Sequence, residues 1–399
     1  MKTIFLASGR SSRMAPLGDK NLLKFCGEPL VLKLLKNAKK GGLKNFIVVA
    51  NKYNKKDIAT ILQKAKFPAE VTTQKNLDQG MAGGVVDGLG LVKDNESVFV
   101  LGGNDYFDYR ILPKMLTKTK EVDGVILAKK VKNYFPGGYL QTTGKNFIKK
   151  IIEKPEAGKE PSNLVNIVAH FFQKAGDLRA ALSSAKSSRD DIYEVALQSL
   201  FSTKKFVAIE YAGDWQAIKY PWHVLELMET FLAEQKTTIS KKASIDKSAQ
   251  IKGKGVVIES GVKVFSNAVI QGPCYLGKNA VVGNNALVRN SMLGEGSSAG
   301  YNTEIARSYL AQNVTTHIAY VGDSVVDRGV NFGAFSCTAN LRLDKKNIKV
   351  LVKKEKIDSG HKKLGVIVGR DAQLGIHAML MPGCKISPED FVKPGEIRK

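Results

Sequence analysis

The stretch Leu6–Lys24, LASGRSSRMAPLGDKNLLK, decides how the first half of this chain is read. It follows a short apolar run, Thr3-Ile4-Phe5-Leu6, that reads as a buried β-strand. Gly9, two serines and Arg13 then form a loop of small residues closed by a cation. LLKFCGEPLVLKLLKNAKK resumes with the helical spacing of Leu and Val. Strand, Gly/Ser loop, basic residue and helix together make an anion cradle. Small side chains let backbone N–H groups approach phosphate oxygens, and Arg13 or Lys20 adds charge. An ordinary strand–turn–helix satisfies the same pattern, so the loop takes its meaning from the rest of the chain.

Outward from that loop, short apolar strands alternate with amphipathic helices to about residue 230. NFIVVAN (45–51) reads as a strand and KKDIATILQKA (55–65) as a helix. SVFVLGGND (97–105) is again a strand, ILPKMLTKT (111–119) a helix and GVILAKKV (124–131) a strand. This order predicts a doubly wound, mostly parallel, Rossmann-like sheet with helices on both faces and ligands at the carboxyl ends of its strands. Gln79-Gly80-Met81-Ala82-Gly83-Gly84 precedes a helix, where the Gln79 amide could read a base edge. Asp105 closes an apolar strand, where a carboxylate suits Mg²⁺ or caps a turn. Gly137-Gly138-Tyr139 begins another strand, and IIEKP (151–155) ends one with Glu153 beside Lys154, a pair that alone reads as solvated.

Composition narrows the classes. The length of 399 residues suits two or three domains with separate cores. No apolar run approaches the ~20 residues that span a bilayer. A strand beginning at residue 3 leaves no room for a charged-then-apolar leader. Cys26, Cys274, Cys337 and Cys384 show no C-x-x-C spacing, so a reduced, cytoplasmic setting is expected. The 61 basic and 37 acidic residues leave a net charge of +24. The lysines are dispersed, with no Arg-rich arm and few aromatics between them. The charge therefore speaks for polyanionic substrates and solubility rather than for a nucleic-acid surface.

After about residue 235 the helical pattern stops and a period of six begins. Ile239, Ile245 and Ile251 are six apart, as are Ile258, Val264, Ile270, Leu276, Val282 and Val288. The register returns at Val368, Leu374, Leu380, Ile386 and Val392. This is the hexapeptide signature of a parallel β-helix, each aliphatic stacking on one a coil away. Two places break the rhythm, THIAYVGDSV (316–325) and an insertion from about Cys337 to Leu364. Between Arg342 and Lys363 the insertion holds nine basic and three acidic residues, which fits either a phosphate-bearing ligand or a solvated hairpin. His317 in the first break is either a surface residue or a base. The domains are thus expected at 1–230 and 231–399, with a basic arm near 341–364.

These motifs stand in a familiar order. LASGRSSRMAPLGDKNLLK, Gln79-Gly80-Met81-Ala82, Gly103-Asn104-Asp105, Glu153-Lys154-Pro155 with Asn166, and WQAIKYPW (215–222) resemble the signature of sugar-phosphate nucleotidyltransferases. H-x-x-Y-x-G-D-S, V-N-F-G-A and T-A-N-L-R-x-D-x-K-N resemble the acetyltransferase half of the bifunctional glucosamine-1-phosphate acetyltransferase/N-acetylglucosamine-1-phosphate uridylyltransferases, especially their archaeal-type relatives. The resemblance implies a left-handed β-helix, a homotrimer without membrane association, and two chemistries. In one, a sugar-1-phosphate oxygen attacks the α-phosphorus of UTP or dTTP with Mg²⁺, releasing pyrophosphate. Leu6, Gly9 and the loop amides with Arg13 and Lys20 would hold the triphosphate, Gln79 and Gly80 the base, and Asp105 the metal. Gly138, Glu153 and Asn166 would hold the sugar.

In the other, acetyl-CoA acylates glucosamine-1-phosphate. His317 would be the base, Tyr320 and Asn340 would place the amino sugar, and Lys346 and Lys349 its phosphate. Four positions depart from the pattern: Ser11 for a loop glycine, Met81 for a base-site Thr, Ala217 for a second metal carboxylate and Phe335 for a glycine. A hexose-1-phosphate nucleotidyltransferase with a purely structural β-helix, and a non-catalytic regulatory or assembly subunit, are the alternatives those departures leave.

Overall fold

The computed structural model describes residues 1–144 and 146–399. The chain divides into two compact units, Met1–Arg10 with Val31–Ala217, and Ser11–Leu30 with Ile218–Lys399.

The first unit is built on a nine-stranded sheet. Lys2–Leu6 lies parallel between Val98–Gly102 and Phe46–Ala50, and Ala69–Thr73 continues the parallel set. Phe46–Ala50 and Val98–Gly102 are buried at every position, the mark of strands covered on both faces. The long strand Leu164–Phe172 runs antiparallel to Val98–Gly102 and carries Gly124–Lys130 and Gly138–Thr142 beside it. Phe206–Glu210 closes the far edge, parallel to Gly124–Lys130, and Ile148–Glu153 pairs with Gly138–Thr142. The expected mixture of parallel strands and covering helices is present, with an antiparallel portion around Leu164–Phe172.

Two boundaries differ from the sequence expectation. The helix expected to resume at Leu22 starts only at Leu30 and runs to Lys40. Lys24–Phe25 and Glu28–Pro29 pair antiparallel instead, because Cys26 and Gly27 both take positive φ, 49° and 78°, the conformation of a tight hairpin turn. The strand expected to reach Asp105 ends at Gly102, and Asp105–Phe107 forms a separate short strand paired with Trp215–Ala217.

In the second unit the hexapeptide period becomes a left-handed parallel β-helix with three eight-stranded faces. Ile258, Leu276, Leu293, Leu310, Val326, Val368 and Ile386 stack down one face and are buried to 2% exposure or less. Each such side chain contributes about 1.5–3 kcal/mol relative to exposure. The rhythm breaks at corners. Thr316 to Val321 spans five positions where Ala299 to Ile305 and Phe332 to Thr338 span six, which tightens the turn that carries His317. The arm leaves between Thr338 and Val368 and folds its own hairpin, Lys349–Val352 with Glu355–Asp358, over buried Ile348, Val350 and Val352.

Candidate functional sites

At the carboxyl end of Lys2–Leu6 the backbone turns under tight control. Gly103 N–H donates to Leu6 carbonyl at 2.9 Å, and the amides of Asn54 and Asn51 take the carbonyls of Ala7 and Ser8 at 2.9 and 3.1 Å. The Ser8 hydroxyl donates to Gln74 Oε1, while Gln74 Nε2 reaches Gly80 carbonyl at 2.8 Å. Gln74 therefore ties the first loop to the Gln79-Gly80 segment. At Gly9 nothing stands within 4 Å of where a Cβ would be, so the protein's own packing leaves that face of the loop open. Gly80 needs to be glycine, since φ 52° with ψ −136° lies in a region side chains avoid. Gln79 is exposed at the mouth of the helix Gly80–Leu89.

Three expected sugar residues converge. The ladder places Gly138 opposite Glu153, and Asn166 comes from the neighbouring strand. A Cβ on Gly138 would lie 2.7 Å from Asn166 Nδ2 and 3.1 Å from Glu153 Oε2. Asn166 is 8% exposed, and its Oδ1 is buried without a hydrogen-bond partner. Lys154 pairs with Glu153 at 3.1 Å. Burial, and then the neighbouring Glu153 charge, pushes the Glu194 carboxyl up to about 8. Glu194 therefore stays largely protonated at neutral pH.

Asp105 is 6% exposed and its Oδ1 accepts the Trp215 indole N–H at 2.8 Å. Ala217 is its direct partner in the ladder, so the position facing Asp105 carries a methyl group rather than a second carboxylate. Among the described residues no group of three or more His, Cys, Asp or Glu side chains is placed to hold a metal. The single buried carboxylate fits a Mg²⁺ that arrives with its own oxygen ligands, since this ion keeps waters and takes one or two carboxylates plus substrate phosphates.

In the second unit, Ser11–Leu30 holds the expected phosphate-binding cations. Ser11 adopts φ 51°, so the serine accepts the left-handed backbone that glycine would take without strain. Arg13 is exposed, with its guanidinium 5.8 Å from the Tyr220 ring centroid. Lys20 is buried, and its ammonium donates to Ile218 carbonyl at 3.0 Å.

Along the β-helix, Tyr320 and Asn340 are in contact, Asn340 Nδ2 donating to Tyr320 Oη at 3.1 Å and also to Asp323. Arg307 clamps Asp323 through two bonds of 2.6 Å. Gly322 must be small, because a Cβ there would meet Asn340 Nδ2 at 2.8 Å. His317 is exposed on the shortened corner and makes no side-chain hydrogen bond among the described residues. Lys346 and Lys349 lie apart from this network, on the arm. With Arg342, Asn347, Lys362 and two aspartates they line an open cavity of about 450 Å³. Phe335 is 52% exposed at φ 61°, its ring stacked on His377 of the next coil at 5.0 Å and 12°.

A nucleotidyl transferase family model matches residues 2–220, and a bacterial transferase hexapeptide model of six repeats matches 255–290. A "Bifunctional sugar-1-phosphate nucleotidylyltransferase/acetyltransferase" of Sulfurisphaera tokodaii is 30% identical over all of this chain and 97% of its own length. A "Bifunctional protein GlmU" of Methanocaldococcus jannaschii is 31% identical over 98% of this chain and 93% of that protein. The chain belongs to this bifunctional nucleotidyltransferase/acetyltransferase family. A UDP-glucose pyrophosphorylase structure covers 59% of the chain at 19% identity with a TM-score of 0.52, which bears on the fold of that portion alone.

Within this bifunctional family the chain keeps its motifs in order, and the structure adds residues that sequence reading passed over. Gln74, Asn51 and Asn54 organise the first loop. A side-chain amide just after each of two strands, Asn51 after Phe46–Ala50 and Gln74 after Ala69–Thr73, was the available signal. Arg307, one coil before Asp323, had no signal, because an arginine at a solenoid corner looks like solvated surface.

Proposed function

We propose that this bifunctional enzyme acetylates glucosamine-1-phosphate with acetyl-CoA and joins the resulting sugar-1-phosphate to UTP or dTTP. The observation that carries the second half is the buried, partnerless Asn166 Oδ1 beside Glu153 and the Cβ-free space of Gly138. An orphaned buried acceptor costs about 1–3 kcal/mol, which a sugar hydroxyl or acetamido N–H would recover. Arg13 and Lys20 orient the triphosphate, and Gln79 with Gly80 takes the base. The sugar phosphate oxygen then attacks the α-phosphorus in line as the bond to pyrophosphate breaks. Asp105 would hold Mg²⁺, whose positive charge offsets that developing on the phosphates.

On the β-helix, His317 accepts the proton lost as the sugar amine attacks the thioester carbonyl, and CoA leaves as the thiol. Tyr320 and Asn340, braced by Asp323 and Arg307, place the amino sugar, and Lys346 and Lys349 pair with its phosphate. The homotrimer expected of such a helix and a cytoplasmic setting complete the reading, which the four free cysteines suit.

The test is a pair of assays on full-length variants. His317→Ala is expected to lower CoA release about 10²–10⁴-fold and to leave pyrophosphate release from UTP within about twofold of wild type. Arg13→Ala is expected to do the reverse. Equal loss of both activities in either variant would overturn the division of labour.

A further inference from the structure

The segment Ser11–Leu30 carries Arg13 and Lys20, and in its own unit it is packed against coils of the hexapeptide repeat. The Tyr309 hydroxyl, on the β-helix strand Tyr309–Leu310, donates to Lys24 carbonyl at 2.9 Å. Its ring meets Phe25 at 5.4 Å between centroids, and Phe25 meets Phe231 of the helix His223–Ala233 at 5.3 Å. One coil on, Asp327 follows the strand Val325–Val326, which pairs with Tyr309–Leu310. Tyr309 is 2% exposed, so its bond to Lys24 is shielded from competing water.

The segment's own side-chain bonds centre on Asp19, which accepts the Asn21 N–H at 2.9 Å and the Asn21 amide at 2.8 Å. The segment's regular pieces are two three-residue 3₁₀ turns, Ser12–Met14 and Lys20–Leu22, and a two-residue hairpin. Such pieces are marginal without outside support. The anchors at Lys24 and Phe25 lie just after Lys20.

The same two coils also serve the other chemistry. Arg307 stands two positions before Tyr309, and Asp323, its ion-pair partner, stands four before Asp327. Ser308 and Ser324, between these pairs, are fully buried, and Ser324 N–H donates to Ser308 Oγ at 3.1 Å.

We propose that Tyr309 is a positioning residue for nucleotidyl transfer. The repeat unit holds the conformation in which Ser11–Leu30 presents Arg13 and Lys20, in addition to carrying the acetyl-transfer residues. The proposal rests on the triphosphate role assigned above to Arg13 and Lys20. Because a displacement of about 1 Å in a positioned group can cost ~10²-fold in rate, losing one anchor should register in kcat even when the fold survives.

The experiment uses the full-length chain and three readouts: pyrophosphate release, CoA release and Tm. Tyr309→Phe keeps the ring against Phe25 and removes only the donor. It is expected to lower kcat for pyrophosphate release about three- to tenfold, with KM for the sugar phosphate, CoA release and Tm close to wild type. Arg13→Ala is run in parallel. If Arg13→Ala abolishes pyrophosphate release while Tyr309→Phe stays within about twofold of wild type, the positioning role is wrong. If both activities fall together with Tm, Tyr309 is merely structural and the proposal is again wrong. Should Arg13→Ala leave pyrophosphate release intact, the triphosphate assignment fails first and takes this proposal with it.

Discussion

Replacing Ala217 with Asp returns a second carboxylate to the ladder position that faces Asp105. Directly opposed residues of an antiparallel pair have Cβ atoms about 4.5–5.5 Å apart, so the two carboxylates would share one small volume. At ~5 Å and an effective dielectric of about 20, two such charges repel by ~3 kcal/mol. Without metal, Ala217→Asp should therefore have a lower Tm than wild type at neutral pH, and one of the pair should titrate well above the ordinary carboxylate range.

A divalent cation reverses the sign. If the restored pair binds Mg²⁺ or Mn²⁺ with a Kd of ~0.1 mM, 10 mM metal stabilises the folded state by about 2.7 kcal/mol. At ~2–4 °C per kcal/mol for a unit of this size, that is a rise of roughly 5–10 °C. Wild type, with Asp105 alone, should shift by less than about 1 °C under the same metal and respond only when UTP is added. The assay is thermal unfolding with and without MgCl₂ or MnCl₂, each in the presence and absence of UTP, so activity need not be measured. A wild-type response to metal alone equal to that of Ala217→Asp would refute the idea that this chain takes its metal with the nucleotide.

Two further outcomes follow from observed contacts. His361 Nε2 lies 2.9 Å from Glu226 Oε1; that bond raises the His361 pKa above 6.5 against its desolvation, while it holds Glu226 below 4.5 despite the larger opposing effect of burial. The His361 share is fully present below 6.5 and lost as pH rises through its raised value; the Glu226 share is present above 4.5 and lost as pH falls through its lowered one. Both side chains are about a third exposed, so screening holds the pair to about 1 kcal/mol or less. The Tm gap between wild type and His361→Asn should therefore peak between pH 4.5 and 6.5 and shrink as pH rises through the raised His361 value; a gap that grows with pH would contradict it. Phe335→Gly should be more stable than Phe335→Ala by about 1 kcal/mol in denaturant titration, because glycine takes the φ of 61° without strain while both lose the His377 stack; equal stability would remove the argument for strain at this corner.

What the sequence made legible follows from the range over which each signal acts. The hexapeptide period is local and redundant, so Ile258 through Val288 and Val368 through Val392 reached the core positions their spacing announced. The alternating strands of the first half were readable because Phe46–Ala50 and Val98–Gly102 are apolar along their whole length. Where a short turn competes with a helical pattern the reading slipped. The apolar spacing around Leu22 to Leu35 looks continuous, yet Cys26 and Gly27 fold back and delay the helix to Leu30. The proposed sugar cradle was legible only as three separated residues. That Gly138, Glu153 and Asn166 meet depends on the register of three strands, which no one-dimensional pattern states.

The least legible feature is the contact between Tyr309 and Lys24. Tyr309 and Lys24 are 285 positions apart, and nothing about Tyr309 in sequence separates it from any other aromatic on a repeat coil. By sequence the segment Ser11–Leu30 belongs with the nucleotidyl motifs; by packing it belongs with the coils whose neighbouring corners hold Arg307 and Asp323. On the proposed positioning role, a substitution in this β-helix acts on nucleotidyl transfer through backbone that it supports, without touching a nucleotide. Cutting the chain at the sequence boundary near residue 230 would remove Tyr309 while leaving every nucleotidyl motif in place. On the proposed role, the physical argument for keeping both activities on one polypeptide lies in the Tyr309 anchor, since a separate β-helix would have to find the same loop by diffusion and order it at each encounter.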